Sequence, residues 1–552
     1  MKRKLKKREF VLLAVLAFIL IVLLAIGGVE IYQRYFGMIL INSGEYAPVT
    51  DAGEYNIVYS GEYNRKAIMV DNQLYLDMDV VNEEWAGGLL FYADDVGKVM
   101  YTTATERTES EINRDDFKMW QDTVYMRADL AKEMFGLPYK INEEQRMVAI
   151  NSPDAQMAEV IVSSAYLLNT PDPEERMFTV RLHAEDVVSV YETDAEDYYY
   201  VMSEDGYTGY LEKDEVKLRE NKLSRKQPKA FKLDSDLLPQ GRISLAWQQL
   251  YSNEFNQYVW GEIEDTSYYV NIVSPTWFHL NADGSVSSLA NKEYVDWVHY
   301  RGLQVWALID NGFDDALTYE VLSSTELRQN LVIQLLQFCK EYDLNGINVD
   351  FEQMGEETVH YFIQFLRELS IALRTNGYIL SVDCPVPSEW TDYYRRDVMA
   401  EVCDYVIVMA YDEHYGGGPE AGSTASQNFT FQAVFDMLAE GVSKEKLILG
   451  IPFYTRIWME GDELTSEAVS MWTVDKCIEE KGLTKSYDRA VGQYYAEGWV
   501  EDTLYRIWIE DASSMSWRLK LMKDNKLAGT AAWSLGLQNA AIWKAFEEAF
   551  YK

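Results

Sequence analysis

A (β/α)8 barrel over residues 240–552, preceded by smaller modules, is the fold that this sequence predicts. Three observations predict it. Eight apolar, strand-like runs alternate with amphipathic segments over about 310 residues, the order expected of a TIM-type barrel. The segments between the runs have helical spacing: in "EETVHYFIQFLRELSIALRTNG", Val359, Phe362, Ile363, Leu366, Leu369 and Leu373 form one stripe, and Asn376-Gly377 supplies the C-cap. No glycine-rich phosphate loop follows the first run, which counts against the rival architecture, a doubly wound open sheet that binds nucleotides.

Taken in order, the chain opens with "MKRKLKKRE", six basic residues and one acid, and then runs without charge from Phe10 to Gly28. That run is long enough to span a bilayer, which needs about 20 residues. The basic flank places the N-terminus in the cytoplasm and the bulk outside, so residues 1–36 read as a basic tail and a single-pass anchor in the cell membrane. A cleaved signal peptide shares the charge-then-apolar order. The length of the run, and the lack of a small-x-small site before Gly27, favour the anchor.

Residues 37–155 read as a small α+β module built on a duplication. "DNQLYLDMDVV" (71–81) echoes "QDTVYMRADLA" (121–131), each a short strand with Asp79 or Asp129 opening a helix, and "EQRMVAIN" reads as a further strand. The module resembles the extracellular module named after the N-terminal domain of copper amine oxidases; the resemblance implies no copper. "NTPDPEERM" (169–177) reads as a linker. Residues 178–220 then alternate with period two, and "DGYTGYLEKDEV" resembles the last strands of a bacterial SH3-like barrel. The resemblance implies a cell-wall peptide as possible ligand, with a bare spacer as the other reading. "RENKLSRKQPKAF" is the next linker.

The eight barrel runs are 242–250, 270–280, 303–310, 346–352, 378–386, 404–412, 446–454 and 527–535. Residues 456–510 are too many for a loop and carry strand-like stretches. They predict an α+β subdomain inserted after strand seven, on the face where barrel enzymes hold their sites.

Composition excludes several functions. With 48% apolar and 14% aromatic residues, large cores form and global disorder is ruled out. A formal charge of −39 argues against a nucleic-acid partner, which requires a basic face. The four cysteines, Cys339, Cys384, Cys403 and Cys477, lie in apolar or amphipathic segments without CxxC spacing and read as buried thiols. The five histidines show no metal-ligand pairing, so neither a metal nor a cofactor is expected.

The chemistry is in "GINVDFEQ" (346–353). Strand alternation puts Asn348, Asp350 and Glu352 on one face, about 6.6 Å apart along the chain. A half-exposed strand with a polar outer face would also read this way. On strand four of a barrel, however, the row points inward and Glu352 stands at the C-terminal end, where catalytic groups sit. "NGINVDFE" resembles the D-G-x-D-x-D-x-E signature of glycoside hydrolase family 18: Gly346, Asp350 and Glu352 match, while Asn345 and Asn348 replace aspartates. "VMAYD" (408–412) on strand six, with Met409, Tyr411 and Asp412, resembles that family's M-x-Y-D element. "GTAAWSLG" (529–536) resembles its last strand, with Trp533 as pocket floor. Within the family the sequence is most similar to bacterial spore-cortex and cell-wall N-acetylglucosaminidases, although it has none of their usual LysM repeats.

The resemblance implies a substrate-assisted reaction on an N-acetylated polysaccharide, in which the 2-acetamido oxygen rather than a second carboxylate attacks the anomeric carbon. It implies Glu352 as general acid, with Asp350 holding the acetamido N–H and stabilising the oxazolinium charge. Tyr411 would bond the acetamido group from the other side. Asn348, Met409, Asp412 and Trp533 would contribute to substrate binding. An amide at 348 is expected to donate a hydrogen bond to Asp350. Trp247, Trp277, Trp306, Trp390 and Trp458 lie near strand ends and are candidates for subsites or for packing. The functional alternatives are a non-catalytic carbohydrate-binding relative and a structural envelope protein. Retention of Glu352, Asp350 and Tyr411 together favours a glycosidase. The sequence leaves peptidoglycan versus chitin, and endo versus exo cleavage, open.

Overall fold

Alternate residues of each barrel strand enter different cores, and this alternation is what builds the fold. In the strand Gln304–Asp310, Val305, Ala307 and Ile309 join the layer between strands and helices, whereas Trp306 and Leu308 fill the barrel interior. The structure is a computed structural model. It describes residues 51–222 apart from 154, 173–176 and 192, residues 241–550, and the isolated 39–40, 226 and 239. The predicted anchor, Phe10–Gly28, lies outside the described residues; among those described, no helix is long and apolar enough to cross a membrane.

Eight parallel strands close the barrel: β1 (Ile243–Gln248), β2 (Ile272–Leu280), β3 (Gln304–Asp310), β4 (Gly346–Asp350), β5 (Ile379–Pro385), β6 (Tyr405–Met409), β7 (Leu447–Pro452) and β8 (Gly529–Trp533). Each pairs with the next, and β1 pairs with both β2 and β8. Closure brings backbones close. A Cβ at Gly529 would lie 1.9 Å from the Ile243 carbonyl oxygen, so only glycine fits there. All eight predicted runs hold a strand. Strand four ends at Asp350, so Phe351 and Glu352 follow it rather than belong to it.

Ile347, Val349 and Phe351 face the helices, opposite the polar row, and pack against the helix Glu356–Arg374. That helix buries Val359, Phe362, Leu366, Leu369 and Leu373 as its stripe predicts, with Phe365 in the core and Ile363 only half-buried. It stops at Arg374, and Gly377, at φ +81°, turns the chain into β5. All four cysteines are buried and unpaired.

The insertion begins at Tyr454, two residues before the predicted boundary. Five antiparallel strands, in the order Leu464–Ser470, Tyr454–Glu460, Thr503–Ile509, Gln493–Val500 and Thr484–Asp488, carry the helix Met471–Lys481.

Most of the N-terminal residues make a separate unit, built mainly on a seven-stranded and an eight-stranded sheet; a third sheet, of three strands, joins Leu90–Ala93, Lys98–Thr102 and Arg107–Glu111. In the first, the echoing stretches become Gln73–Asp77 followed by the helix Met78–Val81, and Thr123–Arg127 followed by Ala128–Phe135; the two strands pair antiparallel. Asp79 sits inside its helix, which Asp77 caps. The second sheet is larger than predicted. Gln156–Val160 and Ala165–Leu168 join the strands between Met177 and Lys222, because their alternating apolar residues Ala158, Val160, Ala165 and Leu167 complete one core. The stretch 169–177 is thus the connection of an antiparallel pair rather than a linker, and the second linker begins inside the strand Val216–Lys222.

Candidate active site

At the C-terminal mouth of the barrel the strand register lines up carboxylates. Asp310 on β3 pairs with Asp350 on β4, and Val349 pairs with Val382, so the next step along β5 places Asp383 beside Asp350. Parallel neighbours are about 4.8 Å apart, and these side chains share the inward face. Glu352 stands above the row.

One layer deeper, Asn348 is fully buried and uses its whole amide. Its Oδ1 accepts from Trp247 Nε1 at 2.8 Å and Ser274 Oγ at 3.2 Å; its Nδ2 donates to Ser381 Oγ at 3.1 Å and Asp383 Oδ1 at 2.8 Å. The expected bond from Asn348 to Asp350 is absent. Residues 348 and 350 sit one layer apart along a strand, whereas Asp383 lies across from them on the neighbouring strand. Asn348 also lies beneath the pocket rather than on its surface, contrary to the expectation that it contacts substrate.

Asp350 is half-buried. Its Oδ1 is enclosed without a hydrogen-bond partner. Burial pushes its carboxyl well above the ordinary aspartate range, and the charges of Glu352, Asp383 and Asp310 push it further. Glu352 is pushed from 4.5 up to about 7, first by burial and then by the charges of Asp412 and Asp310. Its backbone is clamped by Asn311: Glu352 N–H donates to Asn311 Oδ1 at 3.1 Å, and Asn311 Nδ2 donates to the Glu352 carbonyl at 2.9 Å. Thr318 Oγ1 accepts from the same Nδ2 at 2.9 Å and holds the clamp in place.

Tyr411 follows β6, packed edge-on against Trp247 and Tyr454 at 6.5 and 6.4 Å between ring centroids. Burial raises its hydroxyl well above 10, and the neighbouring Asp350, Asp383 and Glu352 add to this, so it stays a neutral donor. Gly450 makes room for the ring, since a Cβ there would lie 3.2 Å from it. Asp412 is exposed in a left-handed turn (φ +56°); its Oδ1 accepts from Tyr454 Oη at 2.6 Å and lies 3.5 Å from Arg456 Nη2. Met409 closes β6, half-buried. Trp533 closes β8, half-buried, with its ring 5.8 Å from Trp247.

A cavity of about 410 Å³ opens beside Glu352, lined among others by Asp315, Met354, Trp390, Tyr393 and Tyr394. Tyr411, Asp412 and Trp533 are not in its lining; they stand on the strand-six and strand-eight side of the mouth. Of the five candidate tryptophans, Trp247, Trp277, Trp306 and Trp458 are buried core residues, and Trp390, 83% exposed, overhangs the cavity.

The sequence reading missed Asp383, Asp310, Asn311 and Tyr454. Asp383 left a signal: Ser381 and Asp383 repeat, inside an apolar run, the alternation that marked Asn348 and Asp350.

The family model described as Glycosyl hydrolases family 18 matches residues 311–538, from the end of β3 through β8. This segment of the chain is similar to the catalytic domains of that family. The chain is 26% identical over 294 residues to the uncharacterized glycosylase YvbX of Bacillus subtilis, covering 51% of this chain and 85% of that protein. It is 22% identical over 253 residues to the cortical fragment-lytic enzyme of the same organism, covering 44% and 58%. Among solved structures, the spore cortex-lytic enzyme SleL of Bacillus cereus superposes with a TM-score of 0.53 at 19% identity, over 57% of this chain and 75% of that one. The C-terminal domain of a putative chitinase from Desulfitobacterium hafniense superposes with 0.52 at 20% identity, over 56% and 99%. These superpositions establish the barrel fold. The family 18 match and the glycosylase and cortex-lytic relatives together support a glycosidase.

Proposed function

We propose that this glycosidase cleaves β-1,4 bonds of N-acetylglucosamine-containing polysaccharide, in peptidoglycan or chitin, with retention and with help from the substrate. The observation that carries the reading is Glu352, an acid whose affinity for its proton is raised to about 7, two residues from the half-buried carboxylate Asp350. An acid near that value still holds its proton at neutral pH and releases it readily. In this reading the acetamido oxygen forms a bond to the anomeric carbon as the glycosidic bond breaks, and the Glu352 proton passes to the leaving oxygen. Asp350 accepts the acetamido N–H and balances the positive oxazolinium. Water then opens the ring and returns a proton to Glu352. Tyr411 donates to the acetamido group. Trp533 floors the sugar, and Met409 and Asp412 border it.

The relatives support the substrate class by their names: a cortical fragment-lytic enzyme and a spore cortex-lytic enzyme. The basic cluster and apolar run at the N-terminus support a tether that holds the enzyme outside the membrane. The SH3-like reading of 178–220 supports a wall-peptide contact. Incubating the protein with purified sacculi and with chitin oligomers, and identifying the released ends by mass spectrometry, tests the reading. New reducing ends should be N-acetylglucosamine. N-acetylmuramic acid ends, or a folded protein that releases nothing from either, would overturn it.

A further inference from the structure

We propose that Asp383 and Asp350 share a proton, as a pair that lies across strands four and five. The proton itself does not depend on the hydrolase reading above; its effect on rate does. Register is the first ground: Asp350 and Asp383 are the next inward neighbours after Asn348 and Ser381. Burial is the second. Asp383 is 2% exposed, its Oδ2 is enclosed without a partner, and so is Oδ1 of Asp350. Two enclosed, unpaired carboxylate oxygens on adjacent strands are costly when both groups are ionised. One proton on Asp383 Oδ2 turns that oxygen into a donor and leaves Asp350 Oδ1 as its acceptor.

The third ground is Asn348. Its Nδ2 occupies Asp383 Oδ1, which fixes Oδ2 as the free oxygen, and its other bonds leave nothing for Asp350. The surroundings supply no counter-charge. Glu352, Asp310 and the Tyr411 phenol face the pair, His279 is engaged with Asp310 at 2.5 Å, and Arg396 acts on Cys384, the next residue of β5, whose side chain points to the other face. No lysine or arginine among the described residues pairs with either carboxyl. Burial, the largest cause for both, raises their proton affinity well above the ordinary range.

Asp383 does not touch substrate in this account; it is a positioning residue. Carrying the shared proton, it keeps Asp350 ionised and aimed at the acetamido N–H as positive charge develops. The idea also explains the amide at 348, because an aspartate there would set a third carboxylate against Asp383.

Infrared titration of buried carboxyl groups tests the proton without turnover. Glu352→Gln removes the acid's own signal. This variant should still show a protonated carboxyl above neutral pH, and Glu352→Gln with Asp383→Asn should lack it. In the otherwise wild-type enzyme, Asp383→Asn mimics the protonated group, since its amide both accepts from Asn348 and donates to Asp350. It should lose less than roughly tenfold in kcat, whereas Asp383→Leu, with no donor, should lose roughly a hundredfold with KM nearly constant, the scale of a positioned polar group. A Glu352→Gln protein with no protonated carboxyl at neutral pH, or equal losses in the two Asp383 variants, would overturn the proposal. A protein that shows the proton but cleaves no N-acetylated sugar would instead overturn the hydrolase reading and leave the shared proton standing.

Discussion

Strands four and five present the same inward pattern, a neutral polar residue followed two places on by aspartate: Asn348 and Asp350 on one, Ser381 and Asp383 on the other. They differ in what comes next. Beyond Asp350 the chain leaves the strand and brings Glu352 to the open mouth, clamped by Asn311. Beyond Asp383 the strand continues through Cys384 and Pro385, and Asp383 stays below the surface. One copy of the pattern therefore reaches the open mouth and the other packs beneath it against the first copy. The carboxylate row runs across the strands through Asp310, Asp350 and Asp383 as much as along strand four.

The comparison is broken most severely at its exposed end. Glu352→Gln should reduce kcat at least about a hundredfold while sugar binding, followed by calorimetry, survives, because the amide keeps the shape but donates no proton to the leaving oxygen. The buried end responds in stability. Asn348→Leu strips partners from Trp247, Ser274, Ser381 and Asp383 at once, and urea unfolding should show a loss of about 3 kcal/mol or more. Ser381→Ala, which removes one of those bonds, should cost about 1 kcal/mol.

The raised proton affinity of Glu352 has a stability consequence of its own. The folded protein holds this proton up to about pH 7, whereas the unfolded chain releases it near 4.5. Folding stability is thus unpenalised below 4.5 and declines as pH rises through that interval. Glu352→Gln should therefore be more stable than wild type at pH 8, by at most about 3 kcal/mol, and the difference should vanish at pH 4. Thermal melts at the two pH values check it. Equal differences at both would mean that Glu352 is not held protonated by its site. The smallest effect belongs to Trp390, which overhangs the cavity without core contacts to lose. Trp390→Ala should raise KM for oligosaccharides a few-fold and leave kcat and melting temperature almost unchanged.

Much of this was legible in sequence because it is periodic. Strands of period two and helices of period 3.6 place all eight barrel strands, and the row Asn348, Asp350, Glu352 announces the mouth of the barrel. What stayed hidden depends on register between strands distant in sequence. Nothing local says that Asp383 meets Asn348, that Asn311 clamps Glu352, or that Tyr454 holds Asp412. Sequence also does not separate Trp390 from Trp277 or Trp306, since all are tryptophans near strand ends and only packing decides which is enclosed. The first boundary of the second N-terminal sheet was missed for a related reason: prolines and charges between residues 169 and 177 look like a linker but connect two paired strands.

In the proposed reaction the substrate's own acetamido group does the work of a nucleophile at this site. Proton NMR of the anomeric product, run in parallel on an N-acetylated oligosaccharide and on the same sugar with a free 2-amine at the cleaved unit, tests it most directly. The account predicts product of retained configuration from the first and no cleavage of the second. Inverted product, or comparable cleavage of the free amine, would contradict it.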